Sequence, residues 1–207
     1  MTICISGASG LVGNEILVQL LNNPLTEKVL VLARSPLGFG HAKMQVVIVT
    51  FDQLDQLEVA EKIDIAFCAL GTTLRKAGSK ERQQEIDRNY VISFGKFCKK
   101  AGVEKIGIVS SIGANEKSSN FYLRTKGEME QGISKLEIPQ TVFIRPSFLI
   151  GPRKEKRFSD KLGQVFSFLI GPLLFGKAKK YRGIHGSEVA RKLIDATLTE
   201  SPGIHYI

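Results

Sequence analysis

A tyrosine and a lysine four residues apart, Tyr122 and Lys126, are the side chains best suited to chemistry in this sequence. Four residues is about one helical turn, so both project from one face of a predicted helix. An ammonium beside a phenol favours the phenolate, which makes the tyrosine a better acid and base near neutral pH. The doublet Ser110-Ser111 ends the apolar run before this helix, and a serine hydroxyl there would hydrogen-bond a carbonyl oxygen. The set is typical of proton transfer to or from an oxygen while a cofactor exchanges hydride at the adjacent carbon.

The elements that must hold these residues alternate between strands and helices. Strands are predicted from about Thr2 and over 28–33, 46–50, 63–69, 106–110, 141–144 and 203–207. Helices are predicted after the first strand, over 54–61 and 81–101, and from the polar residues 118–120 to 136. Continuous apolar strands that alternate with helices indicate a parallel sheet covered on both faces. The sequence predicts one α/β domain over residues 1–207, a doubly wound Rossmann fold with a small helical segment on the substrate side.

Three glycines follow the first strand in the order G-x-x-G-x-x-G, at Gly7, Gly10 and Gly13. This spacing is a variant of the dinucleotide fingerprint, and it lies between a predicted strand and a predicted helix. The helix N-terminus offers unpaired N–H groups and a partial positive charge to a phosphate. The residues expected to contact the cofactor here are Gly7, Ser9, Gly10, Leu11, Val12 and Gly13.

The end of the second strand reads Ala33-Arg34-Ser35, without the carboxylate that binds the ribose 2′-hydroxyl of NAD in this fold. An arginine there would pair with a 2′-phosphate, so Arg34 and Ser35 favour NADP(H) as the cofactor. The alternative is that Arg34 is an ordinary solvated loop residue. Asp52, after the third strand, would accept from the adenine amino group or only cap the following helix.

The net charge of +9 is concentrated late in the chain, because residues 151–183 hold nine Lys/Arg and two Asp/Glu. Neither a helix-turn-helix nor an RNA-binding signature accompanies this basic segment, so nucleic acid is not the expected partner. Its apolar residues have helical spacing over 158–170. Three interpretations stay open for this helix: a wall of a small-molecule substrate pocket, a peripheral membrane contact through 153–182, or a homodimer interface.

The three cysteines lie far apart on apolar segments and include no C-x-x-C pair, which indicates reduced core thiols. The histidines lack metal-ligand spacing, so no metal site is expected. No apolar run reaches the roughly 20 residues of a membrane span. Because the first strand is predicted from about Thr2, no leader is expected. A cytoplasmic protein, at most peripheral to a membrane, is expected.

The glycine turn, the Tyr122–Lys126 pair, Ser111 and Arg145-Pro146 together resemble the short-chain dehydrogenase/reductase family, in particular its atypical or extended-like members. Four stretches resemble one subgroup more closely: FCALGTT at 67–73, IDRNYV at 86–91, SSIGANEKSSNFYLRTKGE at 110–128 and RPSFLIGPR at 145–153. That subgroup holds the Tat-interacting oxidoreductase-like protein of animals and its bacterial relatives. The resemblance covers essentially the whole chain.

The resemblance implies roles for individual residues. Tyr122 would be the acid/base, and Lys126 would bind the nicotinamide ribose and favour ionisation of the phenol. Ser111 would orient the carbonyl, with Ser110 as the alternative, and Asn89 would belong to a proton relay. The residues implied to line the cofactor are Gly71, Thr72 and Pro146.

Two functions are compatible with these residues. The first is an NADPH-dependent reductase of a small carbonyl or quinone-like substrate, which uses Ser111, Tyr122 and Lys126. The second is a regulatory or redox-sensing protein that binds NADPH without turning over a substrate.

Overall fold

Seven parallel strands form the central sheet of the protein, whose computed structural model describes residues 1–150 and 183–207. The sheet strands are β1 Thr2–Ser6, β2 Lys28–Ala33, β3 Met44–Ile48, β4 Ile65–Cys68, β5 Lys105–Val109, β6 Gln140–Ile144 and β9 Gly203–Tyr206. Their order is β3-β2-β1-β4-β5-β6-β9, and every neighbouring pair is parallel. Two short strands, β7 Leu149–Ile150 and β8 Ile184–His185, pair separately. The predicted doubly wound Rossmann fold is confirmed.

Helices cover the two faces of this sheet. They are α1 Leu11–Asn22, α2 Leu74–Ala77, α3 Lys80–Gln84, α4 Tyr90–Lys100, α5 Phe121–Ser134 and α6 Gly186–Thr199, with a 3₁₀ helix at Phe51–Gln56 and a π turn at Glu85–Asn89. On one face Ile3 and Ile5 of β1 pack with buried residues of α1 and α6. On the other face Cys4 packs with residues of the 3₁₀ helix, α4 and α5. Alternate residues of the same strand therefore enter two different apolar cores, as a sheet buried on both sides requires.

The predicted strands agree with the observed ones to within about two residues, but two predicted helices were wrong. Residues 54–61 form no α-helix; a 3₁₀ helix occupies Phe51–Gln56 instead. Its buried residues Phe51 and Leu54 are three apart, which is the repeat of a 3₁₀ helix. The single helix predicted over 81–101 is divided into α3, the π turn and α4. The helix predicted over 158–170, with its three interpretations, lies outside the described residues.

The glycine turn brings α1 against the sheet at a distance that only glycine permits. Gly7 has a φ of +84°, and a Cβ there would lie 2.5 Å from the backbone carbon of Ala69. A Cβ on Gly13 would lie 2.0 Å from the carbonyl oxygen of Gly7. The first turn of α1 therefore rests directly on the end of β1, so the start of this helix is fixed at the edge of the sheet.

Gly13→Ala should lower the free energy of unfolding by about 3 kcal/mol, because the added methyl group meets backbone that cannot move aside. Urea unfolding measures the loss. Gly38→Ala is the matched control, because nothing lies within 4 Å of a Cβ at that position. Equal stabilities of the two variants would contradict this account of the contact.

Candidate cofactor and catalytic site

The predicted site residues meet at the carboxyl edge, the edge of the sheet where the parallel strands end. Ligands bind at this edge in doubly wound folds because the loops and helix N-termini face a common crevice there. Gly7, Gly71 and Ser111 follow β1, β4 and β5, respectively, and Pro146 follows β6. Tyr122 and Lys126 lie on α5, the helix that follows β5.

The N-terminus of α1 is open to a ligand. Gly10 is the N-cap, no side chain caps the helix, and its first turn holds no acidic residue. Ser9 and Gly10 are exposed, Leu11 is half-buried, and Val12 and Gly13 are buried. Backbone N–H groups and the helix dipole can therefore act on a phosphate without competition from a side chain of this turn.

Arg34 and Ser35 are exposed directly after β2, the strand beside β1. Within the described part of the chain the guanidinium of Arg34 has no ion-pair partner, so its donors are available to a ligand. Asp52 is exposed in the first turn of the 3₁₀ helix, whose N-cap is Thr50. The structure therefore leaves Asp52 accessible and does not place it as the cap.

A buried ion pair occupies the centre of the carboxyl edge. The ammonium of Lys126 lies 3.2 Å from Oδ1 of Asp87, and the two side chains are only 4% and 1% exposed. The second carboxylate oxygen, Oδ2, accepts a hydrogen bond of 2.9 Å from the backbone N–H of Thr72. One carboxylate thus joins α5, the π turn and the loop after β4.

The electrostatics keep Lys126 charged in this buried position. Burial alone lowers the pKa of Lys126, but the Asp87 carboxylate and, to a smaller extent, Tyr122 outweigh it, so the pKa is raised above its ordinary value. Tyr122 is half-buried one turn before Lys126 on α5. A lasting positive charge therefore lies close to the phenol.

Asp87 rather than Asn89 contacts the lysine. The side chain of Asn89 is exposed, and its Oδ1 accepts from Nε of Arg88 at 2.9 Å. The proton-relay position expected for Asn89 is therefore not supported by its surroundings. Asp87 lies four residues after buried Gln83 and three before buried Tyr90, so it shares the inward face of this segment.

The structure separates the two serines of the doublet. Ser110 is buried, and its hydroxyl donates to Oε1 of Glu130, whose carboxylate also accepts from Nε and Nη2 of Arg145 at 3.0 and 2.6 Å. Ser111 is half-buried, and among the described residues its hydroxyl makes only a local contact of 3.3 Å with the carbonyl of Ile112. Ser111 is therefore the serine whose hydroxyl can turn to a ligand.

The loop after β5 is tied to the neighbouring strand and to α5. The N–H of Ile112 donates to the carbonyl of buried Pro146 at 3.0 Å. A Cβ on Gly127, the residue after Lys126, would lie 2.2 Å from the backbone nitrogen of Glu116. These contacts fix the chain around Ser111 relative to the helix that carries Tyr122 and Lys126.

A protein-family comparison identifies the family of the chain. The family model described as NAD(P)H-binding matches residues 7–166. The chain belongs to this NAD(P)H-binding Rossmann family. Protein HTATIP2 of Rattus norvegicus is 34% identical over 80% of this chain and 69% of its own length. This relative confirms the predicted resemblance to the Tat-interacting subgroup.

Fungal relatives match a larger share of the chain. Protein FMP52, mitochondrial, of Debaryomyces hansenii is 35% identical over 98% of this chain and 92% of its own length. The protein of the same name from Candida albicans is 34% identical over 94% of this chain and 87% of its own. The expectation of a cytoplasmic protein is corrected by these mitochondrial relatives. Reduced, buried thiols show that the cysteines are in the core, but they do not distinguish one compartment from another.

Solved structures share the fold at low sequence identity. MoeE5, in complex with UDP-glucose and NAD, superposes on the whole chain with a TM-score of 0.75 at 16% identity, and 75% of that chain is covered. UDP-glucose 4-epimerase of Thermotoga maritima gives a TM-score of 0.73 at 14% identity, over 100% of this chain and 76% of its own.

Among the described residues no helix has the length and apolar character needed to cross a membrane.

Replacement of Ser110 and of Ser111 by alanine should change the free energy of unfolding by different amounts. Ser110→Ala should lower the free energy of unfolding by about 2 kcal/mol, because it removes a buried hydrogen bond to a carboxylate. Ser111→Ala should stay within about 0.5 kcal/mol of the wild type, since its hydroxyl has no buried partner among the described residues. Urea unfolding of both variants measures the difference, and a larger loss for Ser111→Ala would contradict the assignment.

Proposed function

We propose that the protein is an NADPH-dependent oxidoreductase that reduces a small carbonyl or quinone-like substrate. One observation supports this proposal above the others: buried Lys126 is held charged at the carboxyl edge, one helical turn after Tyr122. In a family that binds NAD(P)H, a charged lysine beside a phenol favours proton transfer by the tyrosine.

The residues present fit the cofactor. The uncapped start of α1 suits a pyrophosphate, and Gly71, exposed after β4, leaves room beside Lys126. Arg34 is proposed to pair with the 2′-phosphate, because it is exposed after β2, has no partner in the described chain, and has no carboxylate beside it at 33–35. The adenine amino group would lie within reach of exposed Asp52.

NADPH, when bound, supplies the hydride that reduces the substrate carbon. The hydroxyl of Ser111 donates to the substrate oxygen and orients it. Tyr122 transfers its proton to that oxygen as the carbonyl becomes an alcohol. Lys126 binds ribose hydroxyls with its free N–H donors and stabilises the phenolate that remains, which is reprotonated from solvent. Pro146, buried after β6, fixes the backbone of this side of the crevice.

Tyr122→Phe should abolish reduction of carbonyl and quinone substrates, with a loss of at least about 10³-fold in kcat, because the variant has no proton to transfer. Calorimetry should show NADPH binding within about threefold of the wild type. Tyr206→Phe, a change at a half-exposed ring on β9, is the matched control and should retain activity. Tight NADPH binding by the wild type without turnover of any substrate would favour a non-catalytic NADPH-binding protein.

Arg34→Glu should weaken NADPH binding by about 100-fold and leave NADH binding within about threefold, because it replaces a charge-assisted contact with repulsion. Titrations of both dinucleotides by intrinsic or cofactor fluorescence measure the ratio. Arg191→Glu, a charge reversal at an exposed position of α6, controls for the change in net charge. Equal losses for NADPH and NADH would show that Arg34 does not bind the 2′-phosphate.

A further inference from the structure

Both oxygens of the Asp87 carboxylate have a partner, and the two partners lie on different elements. Oδ1 pairs with the ammonium of Lys126 on α5, and Oδ2 accepts from the N–H of Thr72 in the loop after β4. The carboxylate itself is carried by the π turn Glu85–Asn89, a rare conformation that is frequent at functional sites. Three separate segments of the carboxyl edge therefore converge on this one side chain.

The pair lies beside Gly71, the exposed residue of the loop after β4. A Cβ on Gly71 would lie 3.1 Å from Oδ1 of Asp87 and 3.7 Å from Nζ of Lys126. Gly71 itself is exposed, so a ligand that passes this glycine reaches the ammonium. A lysine ammonium has three N–H donors, and Asp87 uses one of them, which leaves donors for the hydroxyls of a ligand.

We propose that Asp87 is the positioning residue of this site, which holds the ammonium of Lys126 charged and aimed into the crevice for the ribose hydroxyls of the dinucleotide. The proposal rests on the proposed function, because it takes NADPH as the ligand that Lys126 meets. Asp87 acts through Lys126 and through the Thr72 backbone, and it does not itself contact substrate.

Among the groups that face Lys126, Asp87 is the counterion. Tyr122 approaches from the same helix and Cys68 from β4, while Asp87 comes from the π turn. Burial raises the pKa of the Cys68 thiol to about 12, so this thiol is neutral at physiological pH. Without the Asp87 carboxylate, the buried ammonium would have no hydrogen-bonded anion among the described residues, and deprotonation would relieve the cost of its burial.

Asp87→Asn tests this role through the pH dependence of stability. In the wild type, the raised pKa of Lys126 gives a stabilising contribution that is complete below the ordinary lysine pKa, about 10.4, and is lost as the pH rises through the folded pKa. In the variant, burial without a counterion lowers the pKa of Lys126. The unfolded chain then binds the proton more tightly, so stability rises with pH below about 10.

The urea midpoint of Asp87→Asn should therefore increase from pH 7 to pH 9.5 relative to the wild type. If Asp87 only contributed a hydrogen bond to Thr72, the two profiles would run parallel, which would overturn the proposal. Asp195→Asn, at an exposed carboxylate on α6, is the matched control and should follow the wild-type profile.

Cofactor affinity gives a second measurement. The Kd for NADPH of the wild type should change little between pH 7 and pH 9, whereas that of Asp87→Asn should weaken about tenfold or more as Lys126 loses its proton. A pH-independent difference between the two proteins would contradict the proposal. If the wild type does not bind NADPH at pH 7, the proposed function fails, and the stability profiles still test whether Asp87 holds the lysine charged.

The double variant Asp87→Asn/Lys126→Met covers the case in which Asp87→Asn does not fold. Removal of the ammonium together with the carboxylate leaves no unpaired buried charge, so the double variant should fold and have a stability that changes little from pH 7 to pH 9.5. A double variant that is as unstable as Asp87→Asn, or that fails to fold, would show that Asp87 is needed for packing alone and would overturn the proposal.

Discussion

A lysine ammonium in the protein interior requires a counterion, and this requirement organises the centre of the site. Leaving one member of a buried pair alone costs about 3–5 kcal/mol, because the remaining charge has lost its water and gained nothing in return. Lys126 meets the requirement with Asp87, whose second oxygen is bound by Thr72. Helix α5, the π turn and the loop after β4 are therefore held in one arrangement, and Tyr122 takes its position from the same helix.

A second buried carboxylate fixes α5 one turn further along. Glu130 lies four residues after Lys126 and binds both Ser110, at the end of β5, and Arg145, at the end of β6. Two charged pairs therefore hold α5: Lys126–Asp87, beside Gly71, and Glu130–Arg145, beside Ser110. Because they lie one turn apart, they oppose rotation of α5 about its axis. The contact of Gly13 on Gly7 fixes α1 in the same way. The crevice therefore has the backbone amides of the α1 N-terminus on one side and the Tyr122–Lys126 face of α5 on the other.

The sequence predicts the sheet well because buried parallel strands are continuous apolar runs, which leave a strong signal. It misses the π turn because Ile86, Tyr90 and Phe94 recur every four residues across it, as they would in an ordinary helix. Asp87 was missed for a related reason, since an acid in a polar helix is usually solvated. The position of Asp87 in the sequence is the feature that could have identified it. Asp87 lies four residues before Val91, on the buried face of the segment, where a charged side chain needs a partner. The sequence does not separate Ser110 from Ser111, because the buried partner of Ser110 is Glu130, which lies 20 residues later on α5.

The contacts of Arg145 extend this argument from the site to the last strand. Its guanidinium lies 4.2 Å from the ring centre of Tyr206, and its backbone N–H donates to the carbonyl of Ile207 at 2.8 Å. The same side chain binds Glu130, which holds Ser110 beside the proposed carbonyl-binding Ser111. Because β9 pairs only with β6 within the described sheet, its position depends strongly on these contacts. The last strand is therefore connected, through Arg145 and Glu130, to Ser110, the neighbour of the proposed carbonyl-binding Ser111.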